Sequence, residues 1–100
     1  MRENKYVVSA KARADFKAIA KYTIEKLGEI QSLSYAQGIK TVLADLGDNP
    51  ELGSRYVAVK NKMLLRYRYK AHVIFYYVEN GKIFIVRVFG GRMDFPKHLK

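Results

Sequence analysis

The spacing of apolar residues changes from helical to alternating along the chain, and the densest apolar segment lies near its C-terminal end. Residues 72–78 form a run of β-branched and aromatic side chains that is too short for a helix spanning a domain. Asn80 and Gly81 follow, and such a pair adopts the positive φ angles of a type I′ turn at little steric cost. The pattern therefore predicts a central hairpin, in which residues 82–89 return antiparallel to the first strand.

Helical spacing dominates the first half of the chain. Residues 6–8 form a short strand, and Ser9 is a candidate N-cap for the helix that follows. The apolar stripe of this helix is Phe16, Ile19, Ala20, Ile24 and Leu27. Gly28 ends it, and a second helix begins almost at once. The second stripe is Leu33, Tyr35, Ile39, Val42, Leu43 and Leu46, ended by Gly47 and Asn49-Pro50. Two helices joined this tightly predict an antiparallel helical hairpin.

Strand-like alternation begins weakly at residues 56–59 and becomes clear at residues 64–69, where Arg66 and Arg68 separate apolar and aromatic residues. The predicted order is strand, helix, helix and three strands, with the first strand along an edge of the sheet. We therefore expect a single α+β domain over residues 1–100. An antiparallel helical hairpin would pack on a three- to four-stranded, mainly antiparallel sheet.

Two-residue turns at residues 70–71 and 80–81 would fix the register of the last three strands. The expected pairs are Arg66 with Phe75, Arg68 with Val73, and Arg87 with Ile74 on the other face. One alternation set would then join the helices in the core: Phe16, Ile19, Ile39, Leu43, Val73, Phe75, Val86 and Val88. If the register is inverted, the other set would face the helices instead: Ile74, Tyr76, Ile83 and Ile85.

Composition limits the possible chemistry. A chain of 100 residues, 49% hydrophobic, is long enough for one core. It has no cysteine, which excludes disulfides and thiolate metal sites, and its two histidines alone cannot complete a zinc site, so we expect no metal and no cofactor. The N-terminus lacks the apolar core of a signal peptide, and no apolar run approaches the roughly 20 residues of a membrane span. We therefore expect a cytoplasmic protein with no membrane partner.

Positive charge is concentrated in the sheet half of the chain. Residues 1–50 carry eight basic and six acidic side chains, whereas residues 51–100 carry eleven and three. Such a field suggests an acidic partner. Arg87 lies within an apolar strand, so it needs a carboxylate or carbonyl partner, in this chain or another. Tyrosines interleaved with the basic residues could stack on bases, but alternation favours packing for most of them.

No catalytic motif is readable from the sequence. Gly90-Gly91 follows a strand without a helix of the kind that a phosphate-binding loop requires, and no serine lies in a nucleophile elbow.

Four segments in their order along the chain resemble the ParE family of bacterial toxins, within the RelE/ParE superfamily. They are residues 49–53 (Asn-Pro-Glu-Leu-Gly), residues 72–76, residues 85–88, and residues 91–94 (Gly-Arg-Met-Asp) with His98-Leu99. Gly90 departs from the pattern, because the family often has a histidine before the Gly-Arg pair.

The resemblance implies the toxin of a type II toxin–antitoxin module that inhibits DNA gyrase, blocks replication and performs no bond chemistry itself. It also implies a hetero-oligomer with a cognate antitoxin that carries an acidic C-terminal segment, and no direct sequence-specific binding of nucleic acid. The gyrase-contact candidates are Arg92, Met93, Asp94 and His98. The antitoxin-binding candidates are Lys60, Arg66, Arg68 and Arg87.

Two other functions are open at this point. The RelE-like branch shares the fold and cuts mRNA in the ribosome, but Val73, Met93 and Leu99 stand where that branch has charged or acid–base side chains. The third possibility is an interaction module without toxicity.

Overall fold

The computed structural model describes residues 5–90 as two helices packed on one sheet. The elements in chain order are β1 (Tyr6–Val8), α1 (Ala10–Leu27), α2 (Glu29–Asp48), a 3₁₀ helix (Pro50–Leu52), β2 (Ser54–Val59), β3 (Lys62–Tyr69), β4 (His72–Glu79) and β5 (Lys82–Gly90). The strand order in the sheet is β1-β5-β4-β3-β2, with β1 parallel to β5 and the other pairs antiparallel.

This α+β architecture confirms the predicted class, but the sheet has five strands rather than three or four. The prediction was uncertain at the two outer strands. β1 is only three residues long, and β2 is mostly exposed and interrupted by a bulge between Arg55 and Val57, so both have weak alternation.

The helical hairpin is fixed by the residues predicted to fix it. The Ser9 hydroxyl accepts a hydrogen bond from the backbone amide of Ala12 at 3.0 Å and caps α1. It also donates to the carbonyl of Val86 at 2.9 Å, which ties the start of α1 to β5. Gly28 has a φ of 88°, and its amide bonds to the carbonyl of Ile24. Because this φ favours glycine, α1 ends here and α2 begins at the next residue.

Two-residue turns set the strand register. Asn80 and Gly81 have φ angles of 53° and 74°, as the Asn-Gly pair predicts, and Lys60 and Asn61 repeat the pattern between β2 and β3. Arg66 lies opposite Phe75 and Arg68 opposite Val73, which confirms both predicted pairs.

The predicted pair of Arg87 with Ile74 is wrong. Tyr76 pairs with Ile85, but the next pair joins Phe75 to Arg87, so Val86 is an extra residue on β5. This β-bulge shifts the register by one residue, and Arg87 is placed with Phe75 instead.

The sheet separates two apolar clusters. The cluster beneath the helices contains Ile39, Leu43 and Val88, with Phe16 and Ile19 packed against it. It also contains the four residues that were expected to face the helices only if the register were inverted: Ile74, Tyr76, Ile83 and Ile85. Val73 and Phe75 instead form a second cluster with Phe89 and Tyr56. The predicted single core is therefore wrong for Val73 and Phe75, because β4 is apolar on both faces and its own alternation does not show which face the helices cover. It is also wrong for Val86, which is the extra residue of the bulge and belongs to neither cluster.

The helical stripes are buried only in part. Ile24, Leu27 and Leu33 are 47%, 59% and 63% exposed, although all three belong to the predicted apolar stripes. Near the bend the two helices meet through the buried hydroxyls of Thr23 and Ser32, which are 2.8 Å apart. The three apolar side chains lie outside this contact and are left at the surface.

Within residues 5–90, no helix is long and apolar enough to cross a membrane.

Candidate protein-binding surfaces

The sheet surface that faces away from the main helical cluster carries two arginines beside an apolar cluster. We call this surface, defined by Arg66, Arg68, Val73, Phe75 and Phe89, the arginine face. The Phe75 ring lies 5.8 Å from that of Phe89, and Val73, Phe75 and Phe89 are at most 4% exposed. The exposed Arg66 and Arg68 lie beside buried apolar residues because β3 pairs them with Phe75 and Val73 of β4.

The guanidinium groups on this face are held by neutral partners. The Arg66 guanidinium lies 5.1 Å from the centre of the Tyr56 ring, a cation–π distance. Arg68 donates from Nη1 to the carbonyl of Lys70 at 3.2 Å. No carboxylate of residues 5–90 forms an ion pair with either arginine. Neither charge is therefore compensated by a described carboxylate.

Arg87 has its partner within the chain. Its Nε and Nη2 donate to the two carboxylate oxygens of Asp15 at 2.8 and 3.0 Å, and the backbone amide of Val88 donates to the same carboxylate at 2.9 Å. The hydrogen bond to Asp15 raises the pKa of Arg87 above its usual value. The guanidinium also lies 4.4 Å from the Phe89 ring. The expectation of a carboxylate partner is met inside the protein.

Asp15 was not singled out from the sequence, although a signal for it exists. It lies three residues after Ala12 and four before Ile19, so it projects toward the covered side of α1. β1 pairs with β5 only at residues 83–85, and no other described strand lies beside the rest of that edge. The Asp15 carboxylate occupies this position and satisfies the edge amide of Val88 as well as Arg87.

His72 lies on the helix-covered side of the sheet, opposite Tyr69 and Gly90. Its Nδ1 is 2.5 Å from the Tyr35 hydroxyl of α2. Burial lowers the pKa of His72 and raises the pKa of Tyr35. The histidine is thereby kept neutral and fixed between a helix and the sheet, away from Arg66 and Arg68.

The turn end of the sheet carries the remaining predicted basic residue of the described chain. Lys60 is exposed in the turn between β2 and β3, with a φ of 50°. The neighbouring Lys62 forms an ion pair with Glu79, and its Nζ lies 5.1 Å from the centre of the Tyr77 ring. Hydrogen bonding to Glu79 raises the pKa of Lys62. Lys60 therefore retains an uncompensated charge among the described residues.

An apolar groove of about 280 Å³ lies between α1 and α2. Phe16, Ile19, Ala20, Ala36 and Ile39 contribute apolar surface to it, and Arg13 and Lys40 add a cation from each helix. The apolar side chains Ile24, Leu27, Ile30 and Leu33, nearer the hairpin bend, are also exposed. Such a groove fits the apolar face of an amphipathic segment whose polar side is acidic.

The predicted sites are thus distributed over several surfaces. Arg66 and Arg68 share the arginine face, Lys60 lies at the turn end, and Arg87 is bound to α1 through Asp15. The gyrase-contact candidates Arg92, Met93, Asp94 and His98 lie outside the described residues. Among residues 5–90, no group of three or more histidines and carboxylates is arranged to hold a metal ion.

Comparison with known proteins gives one family, and nine chains of solved structures match. The family model described as the ParE toxin of the type II toxin–antitoxin system parDE matches residues 6–95. A chain from a structure titled as the chromosomal ParDE toxin–antitoxin system of P. aeruginosa is similar with a TM-score of 0.70 and 22% sequence identity. The match covers 86% of this chain and 94% of that one. None of the curated proteins matches this sequence.

Proposed function

Because the chain belongs to the ParE toxin family of type II toxin–antitoxin systems, we propose that it inhibits DNA gyrase, blocks replication and is neutralised by a cognate antitoxin. The toxin acts in the cytoplasm by binding, without making or breaking a bond itself. The proposal of gyrase as the target rests on the resemblance of the four segments named above to the ParE family. The observation that carries the choice against RNA cleavage is that, among the described residues, the sheet separates His72 from Arg66 and Arg68.

General acid–base cleavage of RNA requires a proton donor and a proton acceptor on either side of one phosphate. His72 is bonded to Tyr35 on the helix-covered side, whereas Arg66 and Arg68 project from the arginine face. These groups cannot contact one phosphodiester together. Val73, which stands where the RNA-cutting branch has a sheet arginine, is 4% exposed within an apolar cluster. The geometry of the described residues therefore supports a binding protein.

The test of the target is a supercoiling assay with purified toxin and gyrase. We expect loss of supercoiling and accumulation of cleaved DNA trapped with the enzyme, with ribosome-bound mRNA left intact. Deletion of residues 94–100 should abolish inhibition while antitoxin binding persists, because it removes Asp94 and His98, two of the four residues assigned to gyrase contact. Cleavage of mRNA in a translation extract with gyrase unaffected would replace this proposal with the ribonuclease function.

The antitoxin is proposed to use the groove between α1 and α2 and the cations of the sheet half. Arg13 and Lys40 beside the apolar groove favour an amphipathic segment with acidic residues on its polar side. Arg66, Arg68 and Lys60 are accessible to further carboxylates of the same partner. Arg87 already donates two hydrogen bonds to Asp15, so a contact from the antitoxin would use Nη1 or the second hydrogen of Nη2.

Co-expression with the product of a neighbouring acidic reading frame tests this assignment. Gel filtration should recover a complex that weakens at high salt, because flanking charges contribute to association. Ala20→Glu places a carboxylate in the groove and should weaken the complex strongly. Ala44→Glu makes the same change at an exposed position of α2 and is the matched control. Equal binding by the two variants would exclude the groove, and recovery of free toxin alone would exclude the partner.

A further inference from the structure

Among residues 5–90, the outer edge of β2 has no strand beside it and carries apolar and basic side chains. Among the described residues β2 pairs only with β3, and no side chain of residues 5–90 hydrogen-bonds to its backbone. The free part of β5 differs, since Ser9 and Asp15 bond to the backbone at Val86 and Val88. Unpaired strand edges are templates for a further strand unless they are blocked.

The hairpin geometry identifies the backbone group that faces outward. Residues that flank a two-residue turn exchange both of their hydrogen bonds, and here those residues are Val59 and Lys62. The amide and carbonyl of the preceding residue, Ala58, therefore point away from β3. Ala58 provides a donor and an acceptor at the centre of the open edge.

Apolar side chains lie beside this edge on both surfaces of the sheet. Ala58 pairs with Met63, and the register of β3 with β4, continued by two residues, places Met63 opposite Val78. Met63 and Val78 are 43% and 45% exposed. Val57, on the other surface, is 41% exposed. The row of Ala58, Met63 and Val78, which we call the end row, is left uncovered by α1 and α2.

Cations stand at both ends of β2. Arg55 and Lys60 are exposed, and neither forms an ion pair with a described carboxylate. They are five residues apart, a distance of about 17 Å along an extended strand. A second copy of this chain would bring the same charges together on a protein of net charge +10, which opposes self-pairing. An acidic strand would be attracted instead.

We propose that the β2 edge binds an extended segment of an acidic protein partner, which adds a sixth strand to the sheet. The segment is apolar at its centre, where it covers Ala58 and the end row, and carries carboxylates at both ends for Arg55 and Lys60. Main-chain hydrogen bonds hold the added strand on the edge, and the carboxylates at its ends make the binding specific for an acidic segment. This surface is separate from the helical groove, and the inference does not depend on gyrase being the target.

The experiment uses the full chain and a synthetic peptide of the sequence Glu-Glu-Val-Thr-Val-Ile-Glu-Glu with blocked ends. Amide NMR shifts should map to residues 55–60, 63 and 78. An analogue with lysine at every glutamate should not bind. Shifts that map to α1 and α2 instead would overturn the assignment.

A matched pair of variants tests the outward amide. Ala58→Pro removes it at an edge position that tolerates proline, whereas Ala58→Val retains it. We expect Ala58→Pro to weaken peptide binding about five- to tenfold, the effect of losing one hydrogen bond, and Ala58→Val to bind as the parent does. Equal affinity of the two variants would refute strand addition.

Charge reversal supplies a second test that leaves the β2–β3 ladder intact. Arg55→Glu should weaken binding and reduce its salt dependence, and melting curves would verify that this variant and Ala58→Pro are folded. Unchanged affinity in Arg55→Glu would contradict the selection by charge. Concentration-dependent shifts at residues 55–60 without peptide would show that a second copy occupies the edge, which would overturn the proposal.

Discussion

The two faces of the sheet are both apolar, but they pack against different surroundings. On the helix-covered face, Ile74, Tyr76, Ile83 and Ile85 are at most 1% exposed beneath α1 and α2. On the arginine face, Phe75 is equally buried although its cluster contains no helical residue. Its described neighbours are the rings of Tyr56 and Phe89 and the exposed arginines of β3.

This difference separates stability from recognition. The helix-covered face uses its polar groups internally: Tyr76 donates to the carbonyl of Pro50 at 2.6 Å, and His72 is bonded to Tyr35. The arginine face keeps a buried apolar layer but presents Arg66 and Arg68 above it. A partner can thus meet positive charge on this side without disturbing the residues that hold the helices.

The largest expected effect tests whether the arginine face also has a true core. Phe75→Ala should reduce the free energy of unfolding by about 3–5 kcal/mol, because it removes a fully buried ring from a packed cluster. Urea denaturation measures the change. Val57→Ala, at a 41% exposed position of the neighbouring sheet surface, should cost under about 1 kcal/mol. A Phe75→Ala protein that melts within a degree or two of the parent would show that the cluster contributes little.

The second largest expected effect on stability concerns the ion pair that connects the two faces of the sheet. Arg87 pairs in register with Phe75, yet its guanidinium bonds to Asp15 of α1, so it links the arginine face to the helices. Asp15→Ala leaves a largely buried guanidinium and the amide of Val88 without this acceptor and should cost about 2–3 kcal/mol. The exposed Asp45→Ala is the control and should change stability by under about 0.5 kcal/mol.

A double-mutant cycle isolates the interaction of Asp15 with Arg87. If the carboxylate and guanidinium stabilise each other, the double alanine variant should lose less stability than the two single losses combined. Strict additivity would mean that Asp15 acts through the Val88 amide alone.

The fold was largely predictable from local signals. Ser9, Gly28 and the Asn80-Gly81 turn each impose a local conformation by their own chemistry, and the structure confirms all three. The covered face of β4 was not predictable, because Val73 to Tyr76 are all apolar and burial on both faces erases the alternation. The bulge at Val86 then shifted Arg87 by one position, and no residue type in that segment signals a bulge.

The candidate surfaces were predictable only where side chains are exposed by alternation. Arg66 and Arg68 were assigned to one face by their spacing in β3, and the structure places them there. Asp15 and the groove were missed, because each depends on how α1 sits relative to α2 and β5. Contacts between elements distant in sequence are not encoded in the spacing within either element.

The third effect concerns the close approach of α2 to the covered face. A Cβ built on Gly38 would lie 1.9 Å from the Tyr69 hydroxyl oxygen, so the tyrosine or the helix would have to shift. Alanine usually stabilises a helix interior relative to glycine by about 1 kcal/mol, but overpacking typically costs about 1–3 kcal/mol. Gly38→Ala should therefore destabilise the protein by about 1 kcal/mol in thermal denaturation.

Tyr69→Phe tests the source of the Gly38→Ala effect, since it removes the hydroxyl 1.9 Å from the added Cβ but leaves the ring carbon Cζ, which lies 2.8 Å from it. The double variant should regain part of the lost stability. A Gly38→Ala protein more stable than the parent would show that the tyrosine moves freely and that glycine is not required at this contact.

The smallest effect is a pH dependence confined to the helix-covered face. His72 accepts or donates at Tyr35, lies opposite Tyr69, and lines a cavity of about 250 Å³ with Asp15 and Arg87. Lys70 is also near, with its Nζ 5.8 Å from the Tyr35 ring.

Burial lowers the pKa of His72 below the 6.5 of the unfolded chain, so the unfolded state binds the proton more readily. The contribution to stability is fully present above pH 6.5 and is lost as the pH falls through the lower folded-state pKa. Because solvent screens a half-buried ring, the free energy of unfolding should fall by under about 1 kcal/mol. Urea denaturation between pH 7.5 and 5 should therefore show that the free energy of unfolding falls more in the parent than in His72→Gln, by up to this amount. Parallel curves for the two proteins would show that the imidazole is not the titrating group.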